Sequence, residues 1–454
     1  MILKKAIYDH YDTYLKGYNM LEKGSSIEFQ IAVLLNQFTN FILSSTDNEG
    51  SKKIFFLSRE GLIFKKFVDK VLLEQNRNDI KTYYLPASRK VCSVASLINR
   101  ESIKEVLNEP MVPSTCSEIL EHRFGLNEKD CQTILGNISF DPTILLHQHS
   151  HKKELNNLIV HGENIILKNS EKVRNLLKLY YLNLGIPSKE NIYVDIGYRG
   201  TMQHLLNKIF NSDIKFKFIY LLINNKVKLE SKKAGYYFFY KYSVNSIISQ
   251  NRLFLEYLFM PMHGTLLGFE EKEKEIIPIW QKLDDIELVN LKYINSFQEK
   301  ALKIYFDGIS IEKNKDILHN LIIPHDYDSV KQFENFFIED NFGGLSQRKM
   351  LAVPILLNNI KINKVTLFEL LMLSEWKEGA LFIIKESKIK FKEKDDFFIK
   401  KNTGLFRKLR KLIISPNLFL LDGQFNMLKN IGYFLTKFNE NKTIKERFDK
   451  IILK

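Results

Sequence analysis

The sequence is poor in cysteine, proline and tryptophan, and it contains no long apolar run. Its 454 residues include only three cysteines, ten prolines and two tryptophans. Three cysteines are too few for a disulfide framework, and no two of them form a C-x-x-C zinc pair, so a reducing compartment fits best. The opening residues lack the apolar core of a signal peptide, and no apolar run approaches the ~18 residues of a membrane span. We therefore expect a cytoplasmic protein, either soluble or peripheral on the inner membrane.

The positive charge is unevenly distributed along the chain. The formal net charge is +14, and residues 401–454 hold 12 Lys+Arg against 4 Asp+Glu, a net of +8. A nucleic-acid-binding protein would instead line one folded face with basic residues and stacking aromatics. We therefore expect no nucleic-acid partner. With 45% hydrophobic and 26% charged residues, the chain is long enough to bury a large core.

Short apolar, β-rich runs alternate with helical stretches through the first half of the chain. A helical pattern covers residues 26–46, and the apolar runs follow at residues 54–57, 82–85, 192–196 and 216–223. Such alternation predicts an α/β protein with a mostly parallel, Rossmann-like sheet covered by helices.

The remaining segments predict four divisions of the chain. Residues 1–50 form a helical lead-in, and residues 51–270 form the α/β core, which carries a mainly helical insertion at about 91–190. One insertion helix is expected to begin at Asn169 or Ser170 and to close at Gly185. Residues 271–400 form a second, largely α-helical region on the acceptor side.

The basic tail, residues 401–454, begins with an amphipathic pattern. Its apolar positions, Leu405, Phe406, Leu409, Leu412 and Ile413, fall on one helical face, and the basic residues occupy the rest. This pattern favours binding to an anionic membrane surface. The alternative is a solvated helix that packs on the second region.

Three of the predicted strands are followed by arginine-bearing loops. The loop residues are Ser58, Arg59, Glu60 and Gly61 after the first strand, Ser88, Arg89 and Lys90 after the second, and Gly197, Tyr198, Arg199, Gly200 and Thr201 after the third. Ligands of open parallel sheets bind beyond the carboxyl ends of the strands. A single arginine there is more often part of a surface ion pair. Three such loops on one edge favour a shared binding site.

The residue types in these loops suit a ligand with several phosphates. The planar guanidinium fork matches phosphate oxygens and stays charged at any working pH. Gly197 and Gly200 let the backbone bend around an anion, and Thr201 opens a helix whose N-terminus favours negative charge. Asp195 is a candidate for binding sugar hydroxyls or magnesium, and Glu60 for binding magnesium or acting as a base. The expected cofactor is therefore Mg²⁺.

Two later motifs contribute weaker candidates. His263, in FLEYLFMPMHGTLLGF, is either a core histidine or a substrate-binding residue at the domain junction. Trp376, in SEWKEGAL, is a candidate for lining an acceptor groove, since aromatic faces pack on sugars, although a buried position is an equal alternative. The alternating histidines at 147, 149 and 151 lack a nearby carboxylate or cysteine partner, which makes metal binding there a minor alternative.

The order of strands and motifs resembles the type I phosphoribosyltransferase fold. More narrowly, FFLSREGLIF, YYLPASRK, YVDIGYRGTMQ, FLEYLFMPMHGTLLGF and SEWKEGA resemble a module fused behind haloacid-dehalogenase-type phosphatases in bacterial polysaccharide clusters. The resemblance spans about residues 26–385.

This resemblance implies a transferase of capsule or O-antigen biosynthesis. It would move ribofuranose 5-phosphate from phosphoribosyl pyrophosphate to a lipid-linked glycan, and a separate phosphatase would then remove the 5-phosphate. By the same resemblance, Arg59 and Arg89 would hold the diphosphate, Asp195 the ribose hydroxyls or magnesium, and residues 197–201 the 5-phosphate.

The sequence departs from that family pattern in two respects. The usual phosphoribosyltransferase loop carries two adjacent acids, whereas Ile196 follows Asp195 here. No phosphatase domain is visible either, and Asp9 and Asp12 resemble its nucleophile motif only by coincidence, because no strand precedes them. The alternatives are a sugar-phosphate hydrolase of the haloacid dehalogenase type and a non-catalytic scaffold of polysaccharide assembly at the membrane surface.

Overall fold

The computed structural model describes residues 26–109, 114–224, 234–239 and 251–307, together with Ile248 and short stretches between residues 317 and 391. All of these residues belong to one compact unit, Met1–Asp396. The basic tail at 401–454 and the first 25 residues lie outside the described part.

The described chain begins with a helix and then alternates strands with helices. In chain order the elements of the first half are α1 (Ile27–Asn48), β1 (Lys53–Leu57), α2 (Gly61–Glu74), β2 (Lys81–Leu85), α3 (Arg89–Ala95), α4 (Arg100–Asn108), α5 (Cys116–Phe124), α6 (Glu128–Leu135), α7 (Lys152–Asn183), β3 (Asn191–Tyr198), α8 (Thr201–Phe210), β4 (Lys217–Asn224) and β5 (Ala234–Phe239). Those of the second half are α9 (Arg252–Leu258), β6 (Leu266–Lys272), β7 (Glu275–Trp280), α10 (Asp285–Phe306), α11 (Ile317–Ile322), β8 (Phe337–Glu339), β9 (Gln347–Lys349), β10 (Lys361–Ile362) and β11 (Lys390–Phe391).

The centre of the fold is a five-stranded, wholly parallel sheet. Its strand order is β2-β1-β3-β4-β5, and the chain is therefore an α/β protein with a Rossmann-like sheet, as the sequence predicts. Each of the four predicted apolar runs forms one of these strands, within one residue or two of the expected ends. The strands read as apolar on both faces because helices cover both sides of a parallel sheet.

Helices pack on the two faces of this sheet in separate layers. Helices α1 and α2 lie on one face, where the rings of Phe38 and Phe64 meet with centroids 5.1 Å apart, and α10 packs on α1. Helices α3, α7 and α8 lie on the other face, around a core that includes Phe55, Tyr193 and Leu206. Strand residues alternate between the two layers, since successive side chains point to opposite faces.

The segment between β2 and β3 is helical, as predicted, and contains a core of its own. Residues from α4, α5, α6 and the first part of α7 form this second cluster, which includes Ile103, Leu120 and Ile166. A helical insertion with a separate core can pack as a body beside the sheet without adding strands to it.

The predicted start of the last insertion helix is wrong. Helix α7 runs without interruption from Lys152, and Asn169 and Ser170 lie in its interior. Ser170 Oγ lies within hydrogen-bonding distance of the carbonyls of Val94 and Leu97, at 2.6 and 2.7 Å. Its hydroxyl therefore binds carbonyl groups at the C-terminal end of α3 and does not cap its own helix. The predicted end is confirmed, because Gly185 follows the helix with a φ of 75°.

The chain beyond residue 270 is not entirely helical. It begins within an antiparallel hairpin formed by β6 and β7, which precedes the long helix α10. The hairpin packs against α3 and α7, so this segment joins the same compact unit as the sheet. Among the described residues, no helix combines the length and hydrophobicity needed to cross a bilayer.

Candidate functional site

The three arginine-bearing loops follow three adjacent strands of the sheet. Strand β1 lies between β2 and β3, and all three run parallel, so their carboxyl ends share one edge. From β1 the chain crosses to β2 on one side, and β3 then pairs with β1 on the other side. Such a switch point leaves a crevice between the two strands, which is where open α/β sheets bind ligands.

The first loop is attached directly to the second. Ser58 Oγ donates to the Ala87 carbonyl at 2.6 Å and accepts from the Ala87 N–H at 2.8 Å. Gly61 then starts α2 so close to β1 that a Cβ would lie 2.8 Å from the backbone carbon of Phe56. The Ser58 and Gly61 positions therefore shape the loop, and Arg59 and Glu60 are the side chains that it presents.

The second loop is held by a serine that caps a helix. Ser88 Oγ accepts from the Val91 N–H at 3.2 Å and donates to the Leu266 carbonyl at 2.8 Å, which ties the loop to α3 and to the β6 hairpin. Arg89, the first residue of α3, is half-buried. Lys90 interacts instead with Glu121 of the helical insertion, and burial lowers the pKa of its amine.

The third loop is shaped by two glycines. Gly197 has a φ of 126°, and a Cβ there would lie 1.7 Å from the Leu222 carbonyl oxygen, so only glycine fits between β3 and β4. Gly200, with a φ of 69°, is the N-cap residue of α8, and Thr201 is the first residue of that helix. The loop thus brings the chain from the sheet edge to a helix N-terminus, where backbone N–H groups favour an anion.

Tyr198 and Arg199, which lie between these glycines, differ in their environments. Tyr198 is buried, and its hydroxyl donates to the Arg252 carbonyl at 2.9 Å, which links the third loop to α9. Arg199 is exposed. Of the predicted residues of this loop, Tyr198 therefore contributes its backbone to the site edge while its side chain binds protein.

Three carboxylates interact at this edge of the sheet. Burial, the charge of Glu60 and that of Glu256 together raise the pKa of Asp195 to about 7, although Arg89 and the N–H of Gly197 oppose the shift. Burial and Glu60 likewise raise the pKa of Glu256 to about 7, against the charges of Arg89, Arg252 and Arg59. The first two loops, the end of β3 and helix α9 therefore meet electrostatically in one cluster of carboxylates and arginines.

Glu256 is the member of this cluster that our sequence reasoning did not assign. It lies in α9 with 7% of its surface exposed, surrounded in sequence by apolar residues. A glutamate inside the apolar run FLEYLF was the available signal, because an acid is rarely buried without a partner or a function.

Arg59 and Arg89 form no ion pair with the described residues. Within the described part of the chain, neither guanidinium lies within 4.0 Å of a carboxylate oxygen. Arg77 shows the contrast, since it binds both Asp47 and Asp79. Both arginines are half-buried and follow the carboxyl ends of β1 and β2. Their guanidinium groups, which no described carboxylate pairs with, can bind an anionic ligand.

His263 lies beside the first loop. Its Nε2 is 2.8 Å from the hydroxyl of Tyr84, which in turn donates to the Arg59 carbonyl at 3.2 Å. Burial lowers the pKa of the His263 ring, and the charge of Arg59 adds to this effect. Both ring nitrogens of the half-buried His263 have protein partners, and its contact with a substrate stays a prediction.

Trp376 does not line a groove and occupies the buried position that the sequence left as the alternative. Only 1% of its surface is exposed, its Nε1 donates to the Ile322 carbonyl at 2.7 Å, and its ring stacks on Phe254 with centroids 4.2 Å apart. A buried indole with a satisfied N–H has no face left for a sugar. The other tryptophan, Trp280, lies beside His263, with 4.3 Å between the two ring centroids.

The described residues contain no group of three or more His, Cys, Asp or Glu side chains arranged to hold a metal ion by themselves. Magnesium usually keeps several waters and binds through one or two carboxylates together with substrate phosphates. Asp195 and Glu60 suit that role, because the repulsion that raises the pKa of Asp195 would be relieved by a divalent cation. The donor set therefore fits a magnesium ion that arrives with a polyphosphate.

No protein-family model matches this chain, and no curated protein matches it significantly. What can be inferred about function therefore depends on the fold and on the geometry of these loops.

Proposed function

We propose that the protein is a glycosyltransferase that moves ribofuranose 5-phosphate from phosphoribosyl pyrophosphate to a glycan, with release of pyrophosphate. The observation that carries this proposal is the meeting of two open arginines, a glycine-shaped anion loop and three carboxylates at the switch point of a parallel sheet. A ligand with a diphosphate at one end and a monophosphate at the other matches that arrangement.

The two halves of the site suit the two ends of this donor. Arg59 and Arg89 follow β1 and β2, which are adjacent, so their guanidinium groups can share one diphosphate. Residues 197–201 follow β3 and end at the N-terminus of α8, which suits the 5-phosphate that remains on the sugar. Asp195 lies on β3, two residues before the third loop begins, and in this proposal it contacts the ribose.

In the proposed reaction, an acceptor hydroxyl oxygen forms a bond to C1 of the ribose while the bond from C1 to the diphosphate oxygen breaks. The bonding electrons leave with pyrophosphate, and the hydroxyl proton passes to a carboxylate, either Glu60 or Asp195. Arg59 and Arg89 stabilise the negative charge that develops on the leaving diphosphate, a preorganised electrostatic effect of several kcal/mol. The negative carboxylates beside the ribose favour a transition state with oxocarbenium character.

Magnesium bound to the donor would add further charge neutralisation on the diphosphate. Asp195 and Glu60 are the residues that would hold it, and the waters and phosphate oxygens would complete its shell. These carboxylates also orient the ribose hydroxyls by accepting their hydrogen bonds.

The proposal extends to the partners of the reaction. The acceptor is a lipid-linked glycan of capsule or O-antigen assembly, and a separate phosphatase removes the 5-phosphate from the product. The basic tail at 401–454 would hold the enzyme on the inner, cytoplasmic surface of the membrane, close to that acceptor.

The direct test is a transfer assay. The protein is incubated with phosphoribosyl pyrophosphate, Mg²⁺ and candidate glycan acceptors, and mass spectrometry follows addition of a pentose phosphate while a coupled assay follows pyrophosphate. We expect both products together. Lack of both products, combined with lack of donor binding in calorimetry, would contradict the proposal.

The same assay separates the alternatives. A sugar-phosphate hydrolase would release inorganic phosphate without any acceptor, and a scaffold would neither bind the donor nor respond to loss of Arg59 or Asp195. The described residues supply the anion-binding groups that a hydrolase shares with a transferase, which is why the released product decides between them.

A further inference from the structure

A tyrosine contacts the backbone of the first arginine loop, and a histidine contacts that tyrosine. The Tyr84 hydroxyl, on β2, donates to the Arg59 carbonyl at 3.2 Å and lies 2.8 Å from His263 Nε2. His263 Nδ1 lies 2.9 Å from the carbonyl of Gly264. The Tyr84 hydroxyl on β2 thus links the first loop to the segment before β6.

The direction of these bonds follows from the groups involved. A carbonyl oxygen only accepts, so Nδ1 of His263 carries a proton and donates to Gly264. In the neutral ring, Nε2 is then an acceptor, and the single proton of Tyr84 is shared between Nε2 and the Arg59 carbonyl. Burial and the charge of Glu60 raise the pKa of Tyr84, so the phenol keeps that proton throughout the physiological range.

The surroundings hold both rings in place. Trp280 lies parallel to Tyr84, with an angle of 12° between the ring planes and 6.4 Å between centroids, and it also contacts His263. A Cβ on Gly264 would lie 2.3 Å from the Gln281 carbonyl, so this glycine packs tightly against the chain just after β7. This packing therefore holds the Tyr84 hydroxyl in position to contact the Arg59 carbonyl.

We infer that Tyr84 and His263 are positioning residues for diphosphate binding. Ser58 fixes the start of the first loop through Ala87, and Tyr84 fixes the carbonyl of the next residue, Arg59. With its backbone held at two consecutive residues, Arg59 has its guanidinium preorganised for the anion, and less entropy is lost when the ligand binds. This inference rests on the proposed function, because it assigns a role within the donor site.

The inference makes a selective prediction about ligand fragments. Inorganic pyrophosphate represents the leaving group and occupies the Arg59 half, whereas ribose 5-phosphate represents the other end and occupies residues 197–201. Tyr84→Phe keeps the ring and removes only the hydroxyl. We expect it to weaken pyrophosphate and phosphoribosyl pyrophosphate binding by about three- to tenfold, the range of one net hydrogen bond, and to leave ribose 5-phosphate binding unchanged.

The matched control is Tyr83→Phe, one residue earlier on the same strand. The Tyr83 ring stacks on Phe55 with centroids 4.9 Å apart, and thus belongs to the opposite face of the sheet. We expect no change in any of the three affinities. His263→Gln, which keeps a polar group in place of Nε2, should retain more pyrophosphate affinity than His263→Ala.

Calorimetric titration of the full-length wild-type and variant proteins with the three ligands in Mg²⁺ buffer tests this inference. Equal weakening of pyrophosphate and ribose 5-phosphate in Tyr84→Phe would overturn it, since that result indicates a general structural defect. Unchanged affinities would overturn it as well. If the wild-type protein itself bound none of the three ligands, the proposed function would fail together with this inference, and that outcome is distinct from the other two.

Discussion

At the scale of single residues, Arg59 and Arg89 differ from Arg77 and Arg100, which form ion pairs. Arg100 pairs with Glu163, and Arg77 pairs with two aspartates, whereas Arg59 and Arg89 keep open guanidinium groups near buried carboxylates. A guanidinium group that no ion pair occupies can donate its hydrogen bonds to an anionic ligand.

We expect Arg59→Ala to weaken donor binding by about tenfold to a hundredfold, the range of one charge-assisted hydrogen bond or pair. Arg59→Lys should recover only part of this loss, because an ammonium keeps the charge without the planar fork. Calorimetry with phosphoribosyl pyrophosphate measures the effect. Arg100→Ala, in the helical insertion, is the matched control, and a similar loss in that variant would contradict the assignment.

The raised pKa values predict a dependence of stability on pH. The pKa of Asp195 is about 7 in the folded protein and near 3.9 in an unfolded chain. The stability that its protonated form contributes is full below pH ~4 and is lost as the pH rises to about 7. Above that pH, the folded protein holds a charged, partly buried carboxylate next to Glu60 and Glu256.

Asp195→Asn removes this ionisation. We therefore expect the difference in melting temperature between variant and wild type to shift by about 2 °C in favour of the variant when the pH rises from 5 to 8.5 in metal-free buffer. Thermal denaturation at the two pH values measures it. Asp213→Asn, at an exposed carboxylate, should show the same difference at both, and a constant difference in Asp195→Asn would contradict the burial argument.

At the scale of elements, the connection from β3 to α8 depends on close approach to β4. The third loop leaves β3 through Gly197, whose backbone packs against the carbonyl of Leu222 and has a φ that L side chains rarely adopt. A rigid loop of this kind presents its N–H groups in one arrangement, which is what a preorganised phosphate site requires.

We expect Gly197→Ala to lower the free energy of unfolding by at least about 1–3 kcal/mol, from the backbone conformation alone, and to abolish ribose 5-phosphate binding. Chemical denaturation and calorimetry measure the two effects. Gly268→Ala provides the control, because nothing lies within 4 Å of a Cβ placed there. Normal stability and binding in Gly197→Ala would show that the loop geometry is different from the one described.

At the scale of the whole molecule, the described residues form one unit that does not include the basic tail. That unit, Met1–Asp396, contains the sheet, both helical layers and every loop of the candidate site. Donor binding and membrane binding should therefore depend on different parts of the chain.

We expect a chain truncated after Asp396 to bind phosphoribosyl pyrophosphate as the full chain does, and to lose binding to vesicles that contain anionic lipid. Calorimetry and vesicle co-sedimentation measure the two properties. The full chain should dissociate from the vesicles as salt rises, because screening weakens the attraction between lysine or arginine and the anionic headgroups. Equal vesicle binding by both chains would exclude the tail as the membrane contact.

The amino-acid sequence alone indicated the parallel sheet and the edge on which the site lies. Hydrophobic period and composition are local properties of the sequence. Residues 54–57 of β1, for example, are apolar on both faces because helices cover both sides of the sheet. The loops after them carry Arg59, Arg89 and Asp195 at consecutive strand ends, and parallel strands bring such ends to one edge without further information.

The tertiary structure decided which side chains are left for a ligand. The hydroxyls of Ser58, Ser88 and Tyr198 bind protein groups, and Trp376 is buried with its N–H satisfied. Glu256 reaches the site from α9, which is distant in sequence from the first two loops, and the Tyr84 hydroxyl contacts the Arg59 carbonyl across the sheet edge. Whether a polar group is satisfied depends on neighbours across the fold, and no local pattern in the chain specifies those neighbours.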